Sequence, residues 1–397
     1  MASRILTINT GSSSLKAALY RVAATEKLLV NVKVERIGLA DGHLSIVDAT
    51  GATVLDRPGR LRDHAAAVGA LLTWLSEQKL DRDLAAVGHR VVYGGVTYRK
   101  PKRITAKLIA RLDEFVPIDP DHLPPALDAI RAARRAFPTI PQVACFDTAF
   151  HRKLPRVAQL YGLPRALAAE GVIRLGFHGL SYEYIVQALR KLDRAAAKGR
   201  LIIAHLGNGA SMAAVRGGVG IDTTMGFSPT GGLMMGTRSG DLDPGVLLYL
   251  LQARGLSPEA VSKLVNRQAG LLGVSGLSGD MQDLLSQEAT NPRAAEAVDL
   301  FCYQARKFLG ALATTLGGLD TLVFTAGIGE NAAPVRQRIC VGLEFLGIQL
   351  AAERNAAHAQ IISRDDSPVV VRVMHTDEDV MVARQTHRLV AKGVVRQ

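Results

Sequence analysis

Two segments far apart in the chain follow one plan. Residues 5–20 and 201–215 each read as an apolar strand, a turn rich in glycine and hydroxyl side chains, and a second apolar strand. A turn that offers backbone N–H groups and hydroxyls between two buried strands is an anion cradle. Its repetition implies a duplicated fold whose halves close on a polyphosphate. The length of 397 residues agrees, being more than one hydrophobic core usually holds.

Hydrophobic residues make up 48% and charged residues 21%, so the chain is an ordinary folded protein and not a disordered one. A net charge of +12 leaves nucleic acid, anionic lipid and small acidic substrates open as partners. The basic residues are scattered, as Arg131, Arg134, Arg135, Arg152, Lys153 and Arg156 illustrate, with no long basic run and no interleaved aromatics. Small anionic ligands are therefore expected, and no nucleic-acid partner. Cys145, Cys302 and Cys340 have no C-x-x-C spacing, so neither a disulfide framework nor a zinc site is encoded. No signal-type apolar stretch and no run of eighteen apolar residues occur, so a cytoplasmic protein without membrane association is expected.

Strands at 5–10, 15–20, 28–36, 44–47 and 86–92 alternate with amphipathic helices over 63–78 and near Lys107 and Ala126, the pattern of an α/β domain. Pro117, Pro120, Pro124 and Pro125 mark a loop between two of these helices. A strand at 143–146 ends in the polar cluster Asp147 to His151, at a strand's carboxyl end, where open α/β sheets hold ligands. The opening pattern restarts at Leu201, a buried helix spans 292–316, and a strand at 321–325 runs into Gly327. The expected domains are 1–149 and 150–381. A tail helix begins near Asp379, and about 382–397 completes the first domain.

Several residue groups carry two readings. The turn from Asn9 through Ser14 to Lys16 is a plain hairpin turn or a phosphate cradle; its echo at His205, Gly207, Asn208, Gly209 and Ser211 favours the cradle. Gly327-Ile-Gly329, ahead of Asn331, is half a dinucleotide fingerprint or a nucleotide site at a helix N-terminus. The glycine-rich segment 226–243 is irregular, yet Leu233-Met-Met looks buried, which makes it an ordered loop with Arg238 as an anion clamp. Arg90 ends a buried strand and needs either a ligand or a structural carboxylate. His122 and His178 are site residues or satisfied core histidines, whereas His43, His64 and His358 read as surface. Asp377-Glu378-Asp379 complements a helix dipole or holds Mg²⁺.

Seven ordered motifs tie these groups together: N-T-G-S-S-S-L-K at 9–16, G-H-R-V-V at 88–92, F-D-T-A-F-H at 146–151, H-G-L-S at 178–181, H-L-G-N-G-A-S at 205–211, M-G-F-S-P-T-G-G-L-M-M-G-T-R-S-G-D-L-D-P at 225–244 and T-A-G-I-G-E-N at 325–331. Over nearly the whole chain they resemble the acetate kinase family, the acetate and propionate kinases of the actin and sugar-kinase fold group. The resemblance implies a duplicated actin-like, ribonuclease H-like two-domain α/β kinase fold and a homodimer. It implies reversible transfer of the γ-phosphoryl group of ATP to a short-chain carboxylate, giving ADP and an acyl phosphate such as acetyl phosphate, with Mg²⁺ or Mn²⁺. Carried over by position, Asn9, Ser14 and Lys16 lie at the transfer site, Arg90 and Arg238 grip the carboxylate and the phosphoryl group, and Asp147 and His178 are catalytic. His122, His205, Gly207, Asn208 and Gly209 contact phosphate, while Asp280, Met281, Gln282, Gly327, Gly329 and Asn331 border the nucleotide. Glu378, with Asn9, holds the metal.

The chain departs from the family pattern at Tyr93, where the family has His, and at Asp121, where it has an apolar residue. It departs again at Leu123 within H-N-P and at Gln282 within D-[FM]-R. The first three bear on the acyl pocket, and Asp121 either faces that pocket or turns outward to a base. A carboxylic acid is ionised at neutral pH, so the nucleophile needs no strong base, and Asp147 is expected to position Mg²⁺ or an arginine. Two other readings remain: a nicotinamide oxidoreductase built on Gly327-Ile-Gly329, and a nucleotide sensor without turnover.

Overall fold

The computed structural model describes residues 3–394. They form two compact units, Met1–Ala149 with Asp377–Gln397, and Phe150–Thr376. The chain returns to the first unit at Asp377, ahead of residue 382 and directly before the helix Glu378–Val394. Residues 395–397 of the expected tail helix lie outside the described residues.

The first unit is built on eight strands: β1 Ser3–Thr10, β2 Leu15–Val22, β3 Glu26–Glu35, β4 His43–Asp48, β5 Thr53–Pro58, β6 Leu84–Val91, β7 Lys102–Arg103 and β8 Gln142–Phe146. Their order is β5-β4-β3-β2-β1-β6-β8-β7. β1, β2 and β3 are antiparallel neighbours, while β6 runs parallel to β1 and to β8. Alternation along β1 and β2 sorts side chains to two faces. Leu6, Ile8, Leu15, Ala17 and Leu19 pack with Val68, Leu71 and Leu75 of the helix His64–Glu77 and with Ala129 and Ala133 of the helix Leu123–Ala136. Ile5, Ala18, Tyr20 and Val22 take the other face, with Ala86 and Ala383 of the C-terminal helix. Each fully buried Leu or Ile contributes about 1.5–3 kcal/mol, so both layers are needed to hold the sheet. The C-terminal helix sits so close to β6 that a Cβ on Gly88 would fall on Val382 and Thr386, and Arg384 pairs with Glu26 at 2.8 Å.

The second unit repeats the plan with β9 Arg200–Leu206, β10 Ala210–Arg216, β11 Val219–Thr223, β12 Thr321–Thr325 and β13 Val370–Val373, in the order β11-β10-β9-β12-β13. β10 is antiparallel to β9 and β11, and β12 is parallel to β9 and β13. This is the order and sense of β3-β2-β1-β6-β8, so the sequence echo is a structural duplication and the fold is the expected duplicated α/β one. Tyr182, Ile185, Val186 and Leu189 of the helix Gly179–Leu192 pack on Leu201, Ile203, Ala213 and Val215. The helix Pro292–Leu316 lies along β9, β10 and β11. Among the described residues no helix is long and apolar enough to cross a membrane.

Three local expectations change. Pro124 and Pro125 stand inside the first turn of the helix Leu123–Ala136, not in a loop; first-turn N–H groups lack helical partners, so proline costs nothing there. β5 is an extra edge strand with mostly exposed side chains, and it shows no alternation to read. His64 is buried, its Nε2 2.9 Å from the Gly11 carbonyl, and so helps hold the first glycine turn.

Candidate active site

In the first unit, one guanidinium gathers the carboxyl ends of three strands. Arg90, near the end of β6, donates from Nη2 to Asp147 Oδ2 at 2.7 Å and from Nε to both carboxylate oxygens at 3.2 Å. Asp147 follows β8 in the short helix Asp147–Lys153, and its side chain is fully buried. Arg90 Nη1 donates to Asn9 Oδ1 of β1 at 3.1 Å and lies 3.4 Å from Glu378 Oε2 at the start of the C-terminal helix. Burial opposes the charge of Arg90, but Asp147 and Glu378 outweigh it and leave the group more basic than usual. Arg90 is therefore a permanent cation in a fixed orientation. It does pair with a carboxylate, and that carboxylate is Asp147.

The turn beside Arg90 is tight: Gly11 N–H donates to the Ser14 carbonyl at 2.8 Å, and a Cβ on Gly11 would lie 2.6 Å from Ser14 Oγ. Lys16 stands across from Asn9 in the hairpin register and is exposed. The acidic trio divides its work. Asp377 Oδ1 accepts from Val380 N–H at 2.8 Å, which is the helix-end role. Asp379 is pushed up to about 7 by burial and by Asp377 and Glu378, against Lys16 and Arg90, and its Oδ1 has no hydrogen-bond partner. A buried carboxylate oxygen left unsatisfied next to Glu378 in the chain is an environment that a cation would relieve. No cluster of three or more His, Cys, Asp or Glu side chains forms a metal site among the described residues. Mg²⁺ draws most of its ligands from water and substrate phosphate, so the smaller set of Glu378 and Asn9 fits it.

His122 lies ahead of the helix Leu123–Ala136, and its Nδ1 is 2.7 Å from buried Asp119. Leu123 is fully buried, and Tyr93 stands edge-on to Phe115 at 5.3 Å. Burial and the Asp119 charge push the Tyr93 phenol up to about 12, so it stays neutral. Asp121 is half-buried.

The second unit builds its site at the matching turn, where Gly207 N–H donates to the Gly209 carbonyl at 3.2 Å. His178 precedes the helix Gly179–Leu192 with φ 55°, a left-handed conformation unusual for a residue with a side chain. Buried His151, pulled down to about 4 by burial, meets the Phe177 carbonyl at 2.9 Å and fixes the approach to it. The His178 ring stacks on His205 with centroids 4.1 Å apart. Gly209 explains the arrangement: a Cβ there would lie 3.3 Å from His178 Nε2 and 3.6 Å from Arg238 Nη2. Glycine thus leaves a niche open between an imidazole and a guanidinium. Arg238 is anchored by donation from Nη1 to the Pro229 carbonyl at 2.9 Å. Its loop is ordered, with Leu233, Met234 and Met235 buried and Gly236 N–H donating to the Asn208 carbonyl at 2.9 Å.

Of the residues expected at the nucleotide, Asp280 caps the helix Met281–Gln287 by accepting from Gln282 N–H at 2.7 Å; Met281 is buried and Gln282 exposed. Gly327 and Gly329 lie in the helix Ala326–Asn331, where Asn331 Nδ2 donates to the Gly327 carbonyl at 2.9 Å. This helix follows β12, the fourth strand of its repeat, in a sheet that contains an antiparallel hairpin. A dinucleotide fingerprint belongs after the first strand of a parallel unit, so the oxidoreductase reading falls. Ala326, at φ 65°, is held by donation of its N–H to Glu330 Oε1 at 2.8 Å. Glu330 and Asp119, which hold Ala326 and His122, were not among the residues expected at the site. Only the three-residue spacing of Asp119 and His122 signalled a pair.

Gly209→Ala is expected to lower kcat on the order of 10²–10³-fold, the scale for losing one preorganised charge-stabilising group, while the thermal midpoint holds. Steady-state kinetics beside a melting curve checks this, and an unchanged kcat would place the niche outside the reaction.

The sequence profile of the acetokinase family matches residues 4–384. The acetate kinase of Rhodopseudomonas palustris is 44% identical over 99% of this chain and 100% of its own length. That of Nitrobacter hamburgensis is 45% identical over 96% of this chain and 95% of its own. Among crystal structures, Porphyromonas gingivalis acetate kinase superposes with a TM-score of 0.87 at 37% identity, covering 98% of this chain and 100% of that one. A propionate kinase from Francisella tularensis gives 0.91 at 34% identity, covering 97% and 99%. With the duplicated sheets and the two glycine turns, these matches show that the chain belongs to the acetokinase family.

Proposed function

We propose that the residues at the two glycine turns carry out the reaction of this family, reversible transfer of the γ-phosphoryl group of ATP to a short-chain carboxylate of the acetate or propionate class. The observation that carries the reading is the niche over Gly209, flanked by His178 Nε2 and Arg238 Nη2. A carboxylate oxygen attacks the γ-phosphorus, the bond to the β,γ-bridging oxygen breaks, and ADP leaves; no proton has to move. The obstacle is electrostatic, since an anion approaches a polyanion and the loose transition state spreads charge over the equatorial oxygens. Arg90 is assigned to the carboxylate, and Arg238 and His178 to the phosphoryl oxygens, each held in place within its own unit before the reaction. Asp147 acts through Arg90 as a positioning residue.

Ser14, Lys16, His122, His205, Gly207 and Asn208 are assigned to the phosphates. Asp280, Met281, Gln282, Gly327, Gly329 and Asn331 are assigned to the border of the nucleotide. Glu378 and Asn9 would hold Mg²⁺, which supplies charge neutralisation at the phosphoryl oxygens when bound. Buried Leu123 and neutral, buried Tyr93 favour a small apolar acyl group. Since ATP is a cytoplasmic substrate, the same reading makes this a cytoplasmic enzyme. A nucleotide sensor without turnover has no use for a cation held as rigidly as Arg90.

We include a homodimer in this reading, motivated by Leu248, Tyr249 and Tyr303, which are 53%, 53% and 62% exposed in the second unit. Light scattering is expected to return the mass of two chains, and a one-chain mass would remove the dimer.

Hydroxylamine trapping tests the reaction: ATP, Mg²⁺ and acetate or propionate are expected to yield acyl hydroxamate. With Glu378→Gln the Mg²⁺ needed for half-maximal rate is expected to rise severalfold more than the carboxylate KM. Failure of every two- to four-carbon acid while ATP still binds would overturn the substrate class, and an unchanged Mg²⁺ dependence would return Glu378 to the helix dipole.

A further inference from the structure

Each histidine of the second unit's site ends, at Nδ1, in a pair of hydroxyl groups. His178 Nδ1 lies 2.8 Å from Ser211 Oγ on β10, and Ser211 Oγ lies 2.5 Å from the Tyr182 hydroxyl. His205 Nδ1 lies 2.8 Å from Ser181 Oγ, which is 2.8 Å from Thr376 Oγ1. Ser181, Tyr182 and Ser211 are fully buried, and the first two are consecutive residues in the opening turn of the helix that His178 precedes. Both rings turn Nε2 to the glycine turn: a Cβ on Gly207 would lie 3.9 Å from His205 Nε2, as one on Gly209 would lie 3.3 Å from His178 Nε2.

A serine hydroxyl has one proton to give and lone pairs to accept with. Ser211 stands between a phenol and an imidazole, and the phenol is the stronger acid of the two hydroxyls. The favoured order therefore has Tyr182 donating to Ser211 and Ser211 donating to His178 Nδ1. A neutral imidazole that accepts at Nδ1 carries its own proton at Nε2, the atom that borders the niche.

We propose that Ser211 and Tyr182 are positioning residues that hold His178 as the neutral Nε2–H tautomer, a ready donor to a phosphoryl oxygen, and that Ser181 and Thr376 do the same for His205. The inference rests on the reading of His178 as a group that meets the transferring phosphoryl group. Without the relay the ring would sample both tautomers and present a lone pair to an anion part of the time. That loss falls on the reacting state more than on nucleotide binding.

A double-variant cycle on the full-length enzyme tests it. Ser211→Ala is expected to lower kcat about 10- to 100-fold, the range for removing the outer partner of a functional histidine, with the KM for ATP within about twofold of normal. Tyr182→Phe is expected to act in the same direction and more weakly. In a His178→Ala background Ser211→Ala is expected to add nothing, whereas a merely structural serine would multiply the loss, and multiplication overturns the relay. NMR of ¹⁵N-histidine-labelled wild type gives a reading independent of any variant's folding: His178 is expected to show its proton at Nε2, and a proton at Nδ1 overturns the assignment. A His178→Ala variant with normal kcat would remove the role of His178 itself, and the relay with it.

Discussion

The ion pair of Arg90 with Asp147 is the constraint on which the polar cluster of the first unit depends. Removing a guanidinium and a carboxylate from water is costly, and such pairs add little net stability, although breaking one costs about 3–5 kcal/mol. What the pair secures is geometry. Asp147 takes Nε and Nη2, which turns Nη1 to Asn9 and Glu378. One cation thereby indexes the ends of β1, β6 and β8 and the first turn of the C-terminal helix against one another. The close packing of Val382 and Thr386 on Gly88 keeps that helix, and so Glu378, at its station.

In the second unit the glycine turn depends on the absence of a side chain. Gly209 leaves open the volume that His178 and Arg238 border, and Gly236 lets the Arg238 loop lie directly on the Asn208 carbonyl. Around that opening the Pro229 carbonyl accepts from Arg238, and serine hydroxyls meet both imidazoles at Nδ1.

Much of this was legible in the chain because the strands of both hairpins are buried and their turns are chemically distinctive. The echo of residues 5–20 at 201–215 became two sheets of the same order. What was not legible is tertiary pairing. Arg90 and Asp147 are 57 residues apart, and nothing local to either announces the other. His64 read as surface because its partner is a backbone carbonyl on a distant turn. Asp280 shows the opposite limit: the resemblance assigns it to the nucleotide, while the carboxylate observed caps its own helix, a use that the residue's position before Met281 and Gln282 equally permits.

The most direct test of the account is the kcat for acyl phosphate formation in Asp147→Asn, measured beside Arg90→Ala and the double variant. Asparagine keeps the size of the side chain and removes its charge, so it releases Arg90 without emptying the site. The account predicts that Asp147→Asn falls to within about tenfold of Arg90→Ala, itself reduced on the order of 10²–10³-fold, and that the double variant is no worse than Arg90→Ala alone. A near-normal kcat in Asp147→Asn, or losses that multiply, would contradict it.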